Sequence, residues 1–163
     1  DEVLRPLGLT HTVPERNGHR VQGRARGYRR TDDGVELWEQ KTIDIIGAGD
    51  LVSTAEDLAR FDTAFDDDRF LPAPLREAML TPRVQGTRGA SLGYGWFLRT
   101  SDAGRAVQYH GGSGAGFRAF NYRLPKERLV VVVLSNVDEA TLPWLPPLVD
   151  RIAEETERRR PAG

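Results

Sequence analysis

An α+β fold is what this sequence predicts. It consists of an antiparallel sheet of about four strands in a meander, a C-terminal helix packed on it, and short helices in the N-terminal half. Three observations carry the prediction. Strand-like runs near 94–100, 105–110, 115–124 and 128–135 are joined only by Ser101-Asp102-Ala103-Gly104, Gly111-Gly112-Ser113-Gly114 and Pro125-Lys126-Glu127. Links that short join antiparallel neighbours. A stripe of Trp144, Leu145, Leu148, Val149, Ile152 and Ala153, with Asp150, Arg151, Glu154 and Glu155 opposite, marks a helix over 144–159. Ser53-Thr54-Ala55-Glu56 has the form of a capping box with Ser53 as N-cap, and Leu58, Phe61 and Phe65 follow at helical spacing.

In chain order, residues 1–5 read as a last helical turn that stops before Pro6, because the residue before a proline is pushed out of the α region. Pro6-Leu7-Gly8-Leu9 is a tight turn that tucks two leucines inward. Thr31-Asp32-Asp33-Gly34 is a turn signal, with short strands expected at 26–30 and 35–41. Gly47-Ala48-Gly49-Asp50 is a second turn, leading into the capped helix. That helix is expected to stop near Asp66-Asp67-Asp68, whose carboxylates oppose the helix dipole. The acidic run reads as a solvated loop rather than a metal site. Pro74 suits the first turn of a second helix that runs to about Leu80, before Pro82. Leu129-Val130-Val131-Val132-Val133-Leu134 lacks alternation, so it calls for cover on both faces and a neighbour on each edge. Residues 1–93 are thus a helical and loop region and 94–163 the sheet with its helix, together one incomplete domain.

Composition excludes several classes. With 23 basic and 24 acidic residues there is no net positive charge to hold a nucleic acid. Arg158-Arg159-Arg160 reads as a frayed helix end. Cysteine is absent, which excludes disulfides and thiolate chemistry. His11 and His19 lie in polar loops without a third ligand at metal spacing, and no cofactor is implied. No run of ~18 apolar residues could span a membrane as a helix. Asp1-Glu2-Val3-Leu4-Arg5 is not a signal peptide; it reads as the inside of a helix, so the chain is expected to be a piece of a longer protein.

The candidate site is His110-Gly111-Gly112 with Ser113. A polar residue at a strand end followed by glycines lets a ligand reach bare backbone, as in half of an oxyanion hole. Ser113 has no nucleophile elbow around it, so its backbone N–H is the expected contributor. Tyr94, Trp96, Phe117 and Phe120 are candidate pocket walls, at least half of them expected in the core.

Taken in order, these segments resemble a family. Pro6-Leu7-Gly8-Leu9 with Thr12, the run from Gly47 to Phe61, Tyr94-Gly95-Trp96, His110-Gly111-Gly112 with Gly116-Phe117, Pro125 and Leu134-Ser135-Asn136 are similar to the serine β-lactamase-related hydrolases. That family includes class C β-lactamases, penicillin-binding D-Ala-D-Ala carboxypeptidases and esterases. The resemblance implies a partial β-lactamase/transpeptidase-like fold. It also implies an acyl-serine mechanism built on Ser-x-x-Lys, on Tyr-x-Asn or Tyr-x-Ser, and on Lys-Thr-Gly or His-x-Gly. His110-Gly111-Gly112 matches the last. By the resemblance His110 supports proton transfer and ligand binding, Gly111 and Gly112 admit the substrate, and the Ser113 N–H is one oxyanion donor.

The other motifs are absent. The two lysines, Lys41 and Lys126, have Trp38 and Arg123 three positions before them, so no Ser-x-x-Lys exists. The four tyrosines are followed two positions later by Arg30, Trp96, Gly111 and Leu124. The leading expectation is therefore the C-terminal half of such a hydrolase, inactive alone, acting when complete on a small molecule or peptide. Its partner is the missing N-terminal half, or a second copy through the 129–134 edge. The alternative is a non-catalytic truncated homologue that serves as a ligand-binding or association module.

Overall fold

A computed structural model of the chain describes residues 2–16, 21–38, 46–68, 70–86, 89–114, 116–138 and 142–159. The first half carries β1 (Val13–Pro14), β2 (Tyr28–Thr31), β3 (Gly34–Leu37), β4 (Leu51–Val52), α1 (Ala55–Thr63) and α2 (Ala73–Met79). The second carries β5 (Val84–Gln85), β6 (Ser91–Leu92), β7 (Phe97–Thr100), β8 (Ala106–Gly114), β9 (Phe117–Leu124), β10 (Leu129–Ser135), β11 (Val137–Asp138) and α3 (Leu145–Arg159). The fold is α+β, as expected. The main sheet has six strands in the order β10-β9-β8-β7-β6-β5, a meander in reverse chain order. The short β5 and β6 extend it beyond the four strands expected. Residues 39–41 of the strand expected at 35–41, and with them Lys41, lie outside the described residues, as do His19 and Arg160.

The chain forms two compact units, Asp1–Ala64 with Gly111–Asn121 and Val132–Ala140, and Phe65–His110 with Tyr122–Val131 and Thr141–Gly163. In the first, β1 pairs with β4, and β2 forms a hairpin with β3. The hairpin turns on Asp32-Asp33 where expected, between paired Thr31 and Gly34. β11 adds to β2 in parallel.

Helix α1 begins one residue later than the sequence suggested. Thr54, not Ser53, is the N-cap, and its hydroxyl accepts from the Asp57 N–H at 3.2 Å. The Ser53 hydroxyl is engaged instead with Thr12 Oγ1 at 2.8 Å. The helix also carries two buried carboxylates, Asp57 and Asp62. Asp57 Oδ2 accepts from the His11 N–H and from Thr12 Oγ1, each at 2.8 Å. These bonds clamp the turn after Leu9 to the first turn of α1. Burial by itself raises the Asp57 carboxyl. The bonds from Thr12 and His11, with the His11 and Arg60 charges, outweigh it and hold the carboxyl below its ordinary range.

The second unit is organised around a buried cation. Arg123, on β9, is 1% exposed. Its Nη2 donates to Asp66 Oδ1 at 2.6 Å and its Nη1 to Gln108 Oε1 of β8 at 2.8 Å. Its guanidinium lies over the rings of Phe65 and Trp96, which pack edge to face. The expected solvated Asp66–Asp68 loop is corrected accordingly, since a buried cation requires a counter-charge. Asp66 neutralises Arg123, Asp68 accepts from Arg76 Nη1 at 2.6 Å, and α1 has already ended at Thr63.

Helix α3 spans nearly the expected range, with Pro146 and Pro147 in the first turn, where an N–H is not needed. It buries Leu145, Val149 and Ala153. Trp144 and Leu148, expected in that stripe, are 49% and 40% exposed. The helix is fastened by Ser101 Oγ to Asp150 Oδ1 at 3.0 Å and Arg105 Nη2 to Glu157 Oε2 at 3.0 Å. Arg158 and Arg159 pair with Glu155. Among the described residues, β10 ends the main sheet, and no helix is long and apolar enough to cross a membrane.

Two outcomes follow. Asp66→Ala strands the Arg123 charge and lowers unfolding stability by about 3 kcal/mol, read from the urea midpoint. The Asp57 carboxyl is depressed in the folded state, so its contribution is complete above the ordinary carboxylate value of ~3.9 and is lost as pH falls through the lower folded value. The stability difference between the parent and Asp57→Asn therefore shrinks as pH drops below about 4 in thermal melts.

Candidate functional site

The sequence suggested that β8 stops at His110 and that Gly111–Gly114 is a link. The structure corrects this, because β8 continues as strand through Gly114. Gly111 makes that possible. A Cβ at residue 111 would lie 2.9 Å from the Phe120 ring, so the ring occupies the place of a side chain. Gly116 serves the reversal that follows, with φ +81° and no room for a Cβ beside Gly27 and Tyr28.

Gly112 and Gly114 differ from both. Neither has a positive φ, and a Cβ on either would meet nothing within 4 Å. No packing or conformational demand within the described residues requires a glycine there. Side chains alternate along a strand, so Gly112 and Gly114 share the His110 face and Gly111 and Ser113 the opposite one. The His110 face beyond the histidine is thus bare backbone, exposed to solvent.

The His110 side chain is itself exposed, and its ring lies 5.7 Å from that of Phe97 on β7. Phe97 stacks on its cross-strand partner Tyr109 at 5.2 Å, and Tyr109 on Tyr122 at 5.9 Å. Burial raises the Tyr122 phenol above its ordinary value, offset in part by Arg99, whose Nη2 donates to the phenol oxygen at 2.7 Å. Arg99 also lies over both tyrosine rings. This ladder buttresses the strand that carries His110.

Of the expected pocket walls, Trp96 is core at 4% exposure, Phe117 and Phe120 are half-buried, and Tyr94 is exposed beneath Arg83. His11 is committed through its backbone to Asp57. Sequence reasoning missed Arg123, Gln108 and Asp66, which brace β8 two residues before His110. The signal for them was faint: an arginine within an otherwise half-apolar strand.

Penicillin-binding protein 4* of Bacillus subtilis (strain 168) is 31% identical over 153 residues, covering 85% of this chain and 34% of its own length. The chain therefore spans about a third of that relative. Among solved structures, the octameric penicillin-binding protein homologue from Pyrococcus abyssi superposes with a TM-score of 0.81 at 20% identity, covering 96% of this chain and 36% of its own. A penicillin-binding protein from Bacillus halodurans gives 0.74 at 21% identity, with 96% and 47% covered. A class C β-lactamase gives 0.67 at 16% identity, with 98% and 50% covered. At such identities these structures establish the fold alone. The Beta-lactamase family profile matches residues 1–144, and the chain belongs to that family.

Proposed function

We propose that His110–Ser113 is the oxyanion strand of an acyl-serine hydrolase site, and that its Ser-x-x-Lys nucleophile and base come from residues outside this sequence. The observation that carries the reading is Gly112. It is a glycine that nothing among the described residues requires, on the open face beside an exposed histidine. A bare strand admits an acyl group to within hydrogen-bond range of backbone N–H groups, and donors fixed in advance at the developing oxyanion are worth several kcal/mol. In this reading the Ser113 N–H is one donor and the nucleophile's own N–H the other. His110 supports proton transfer, and Gly111 and Gly112 admit the substrate. The substrate is a β-lactam, a D-Ala-D-Ala peptide or a small ester. The complete enzyme forms an acyl-serine and hydrolyses it with water.

A second reading, a non-catalytic association module, draws on β10. Its outer edge carries no strand among the described residues, and its Leu134 is 42% exposed. Unpaired strand edges recruit strands. The N-terminal part of the same protein or a second copy would fill the edge, and the Pyrococcus abyssi homologue is itself octameric.

Labelling with a fluorescent penicillin separates the two readings. The 163-residue chain alone is expected to take no label, and the protein carrying an upstream Ser-x-x-Lys is expected to be labelled on that serine. Label on a serine of the chain alone overturns the proposal. In the labelled form, Gly112→Ala is expected to slow acylation about 10²-fold with an unchanged melting temperature. Gly111→Ala is expected to cost about 1–3 kcal/mol of stability as well, because the Phe120 ring must move.

A further inference from the structure

Within the second compact unit, a cation on a fixed aromatic mount stands at the same end of the main sheet as His110. Val84, Leu92, Phe97 and Tyr109 pair in a row across β5, β6, β7 and β8. Arg83, Gly93, Trp96 and His110 form the next row. The Arg83 N–H donates to the Leu92 carbonyl at 2.7 Å and the Gly93 N–H to the Trp96 carbonyl at 2.9 Å. Side chains alternate along a strand, so Arg83 leaves the sheet on the His110 face. Between β6 and β7 the chain reverses through Tyr94 and Gly95, with Gly95 at φ +76°. The reversal is locked to the end of α2. The Tyr94 N–H donates to the Met79 carbonyl at 2.9 Å, and that carbonyl oxygen would stand 2.3 Å from a Cβ on Gly93. Tyr94 is nonetheless 62% exposed, and its ring centre lies 5.3 Å from the Arg83 guanidinium.

We propose that Arg83, held on Tyr94, binds a carboxylate carried by the part of the substrate remote from the bond that is cleaved. The assignment to the substrate rests on the oxyanion-strand reading above; the carboxylate site does not. Three observations carry it. First, the guanidinium pairs with no carboxylate among the described residues. Its contacts are the Tyr94 ring and the Ala78 carbonyl, to which Nη2 donates at 3.3 Å. Arg76, Arg105 and Arg123 of the same unit all meet carboxylates. Second, a guanidinium that rests on a ring keeps N–H donors at its edge, and that edge matches the two oxygens of a carboxylate. Third, the mount is rigid, so little freedom is lost when a ligand binds. The guanidinium lies over the β6–β7 turn. With neighbouring strands about 4.8 Å apart, it stands roughly 10 Å from β8. An anion there is too far from His110 to be the group at the cleaved bond, so it belongs to an extension of the substrate.

The site is tested by titrating the 163-residue chain with N-benzoylglycine, a carboxylate probe, and with its neutral amide as control, followed by NMR. The carboxylate is expected to shift the Arg83 Nε–H and the Tyr94 amide saturably, and the neutral amide to leave both in place. Arg83→Gln alters an exposed side chain and is expected to abolish the response at Tyr94 with an unchanged urea midpoint. Arg83→Lys, which keeps the charge but loses the paired edge, should restore only part of it. Equal shifts from both probes overturn the site, as does a full response in Arg83→Gln. The assignment to the substrate is tested in the form of the protein that is acylated by penicillin. Its probes are two D-Ala esters that differ only in an N-acyl group ending in a carboxylate or in the corresponding amide. Arg83→Gln is expected to lower kcat/KM about tenfold for the carboxylate ester, the equivalent of one charge-assisted pair, and to leave the other within about twofold. An equal loss for both esters overturns the assignment, as does no loss for either. If no form is acylated, the oxyanion reading fails, and the titration still decides the carboxylate site.

Discussion

The close approach of the Phe120 ring to the Gly111 backbone is the constraint on which the candidate site depends. A side chain at 111 would meet the Phe120 ring at 2.9 Å, so the ring would have to move to admit it. With glycine there, β8 runs on past His110, and the next four residues stay extended. A turn at this point would aim its N–H groups in several directions. A strand aims alternate ones to one side, and an oxyanion site needs donors fixed before the charge arrives. The adjacent glycines therefore do different work: Gly111 admits a ring of the protein itself, and Gly112 leaves the other face open.

Each compact unit holds a buried ionic group of its own. In one, Asp57 gathers the His11 amide and the Thr12 hydroxyl and so fixes the turn that follows Leu9 to α1. In the other, Arg123 is matched by Asp66 and cushioned by Phe65 and Trp96, and its remaining arm reaches Gln108 on β8. Burying an ion is unfavourable unless it is paired and hydrogen-bonded, so both groups have one productive arrangement. That requirement explains two features that apolar patterning does not: a buried carboxylate facing inward from α1, and an acidic run that serves a cation instead of water.

Where local rules decide, the sequence was a sound guide. The short links foretold the meander, Asp32-Asp33 the hairpin, Pro74 the start of α2, and the apolar stripe the extent of α3. Errors arose where a partner far along the chain outbid the local signal. Ser53 resembled an N-cap until Thr12 claimed its hydroxyl, and Thr54 took over the role. Gly111–Gly114 resembled a turn because glycine disfavours strands, yet the Phe120 ring, nine residues on, lies against Gly111 only once β9 has folded back. Trp144 and Leu148 matched the helical stripe but fall on its exposed margin. The candidate site was legible as a motif, His110-Gly111-Gly112. What distinguishes its glycines was not, because that depends on the space around each absent Cβ.

The most direct measurement of the central claim is a crystal structure of the acylated protein, obtained with a slowly hydrolysed β-lactam. The account predicts the acyl carbonyl oxygen about 2.7–3.1 Å from the Ser113 nitrogen, with the acyl group lying along the open face at Gly112. An acyl carbonyl held by other donors, with the Ser113 N–H turned away from it, would contradict the account.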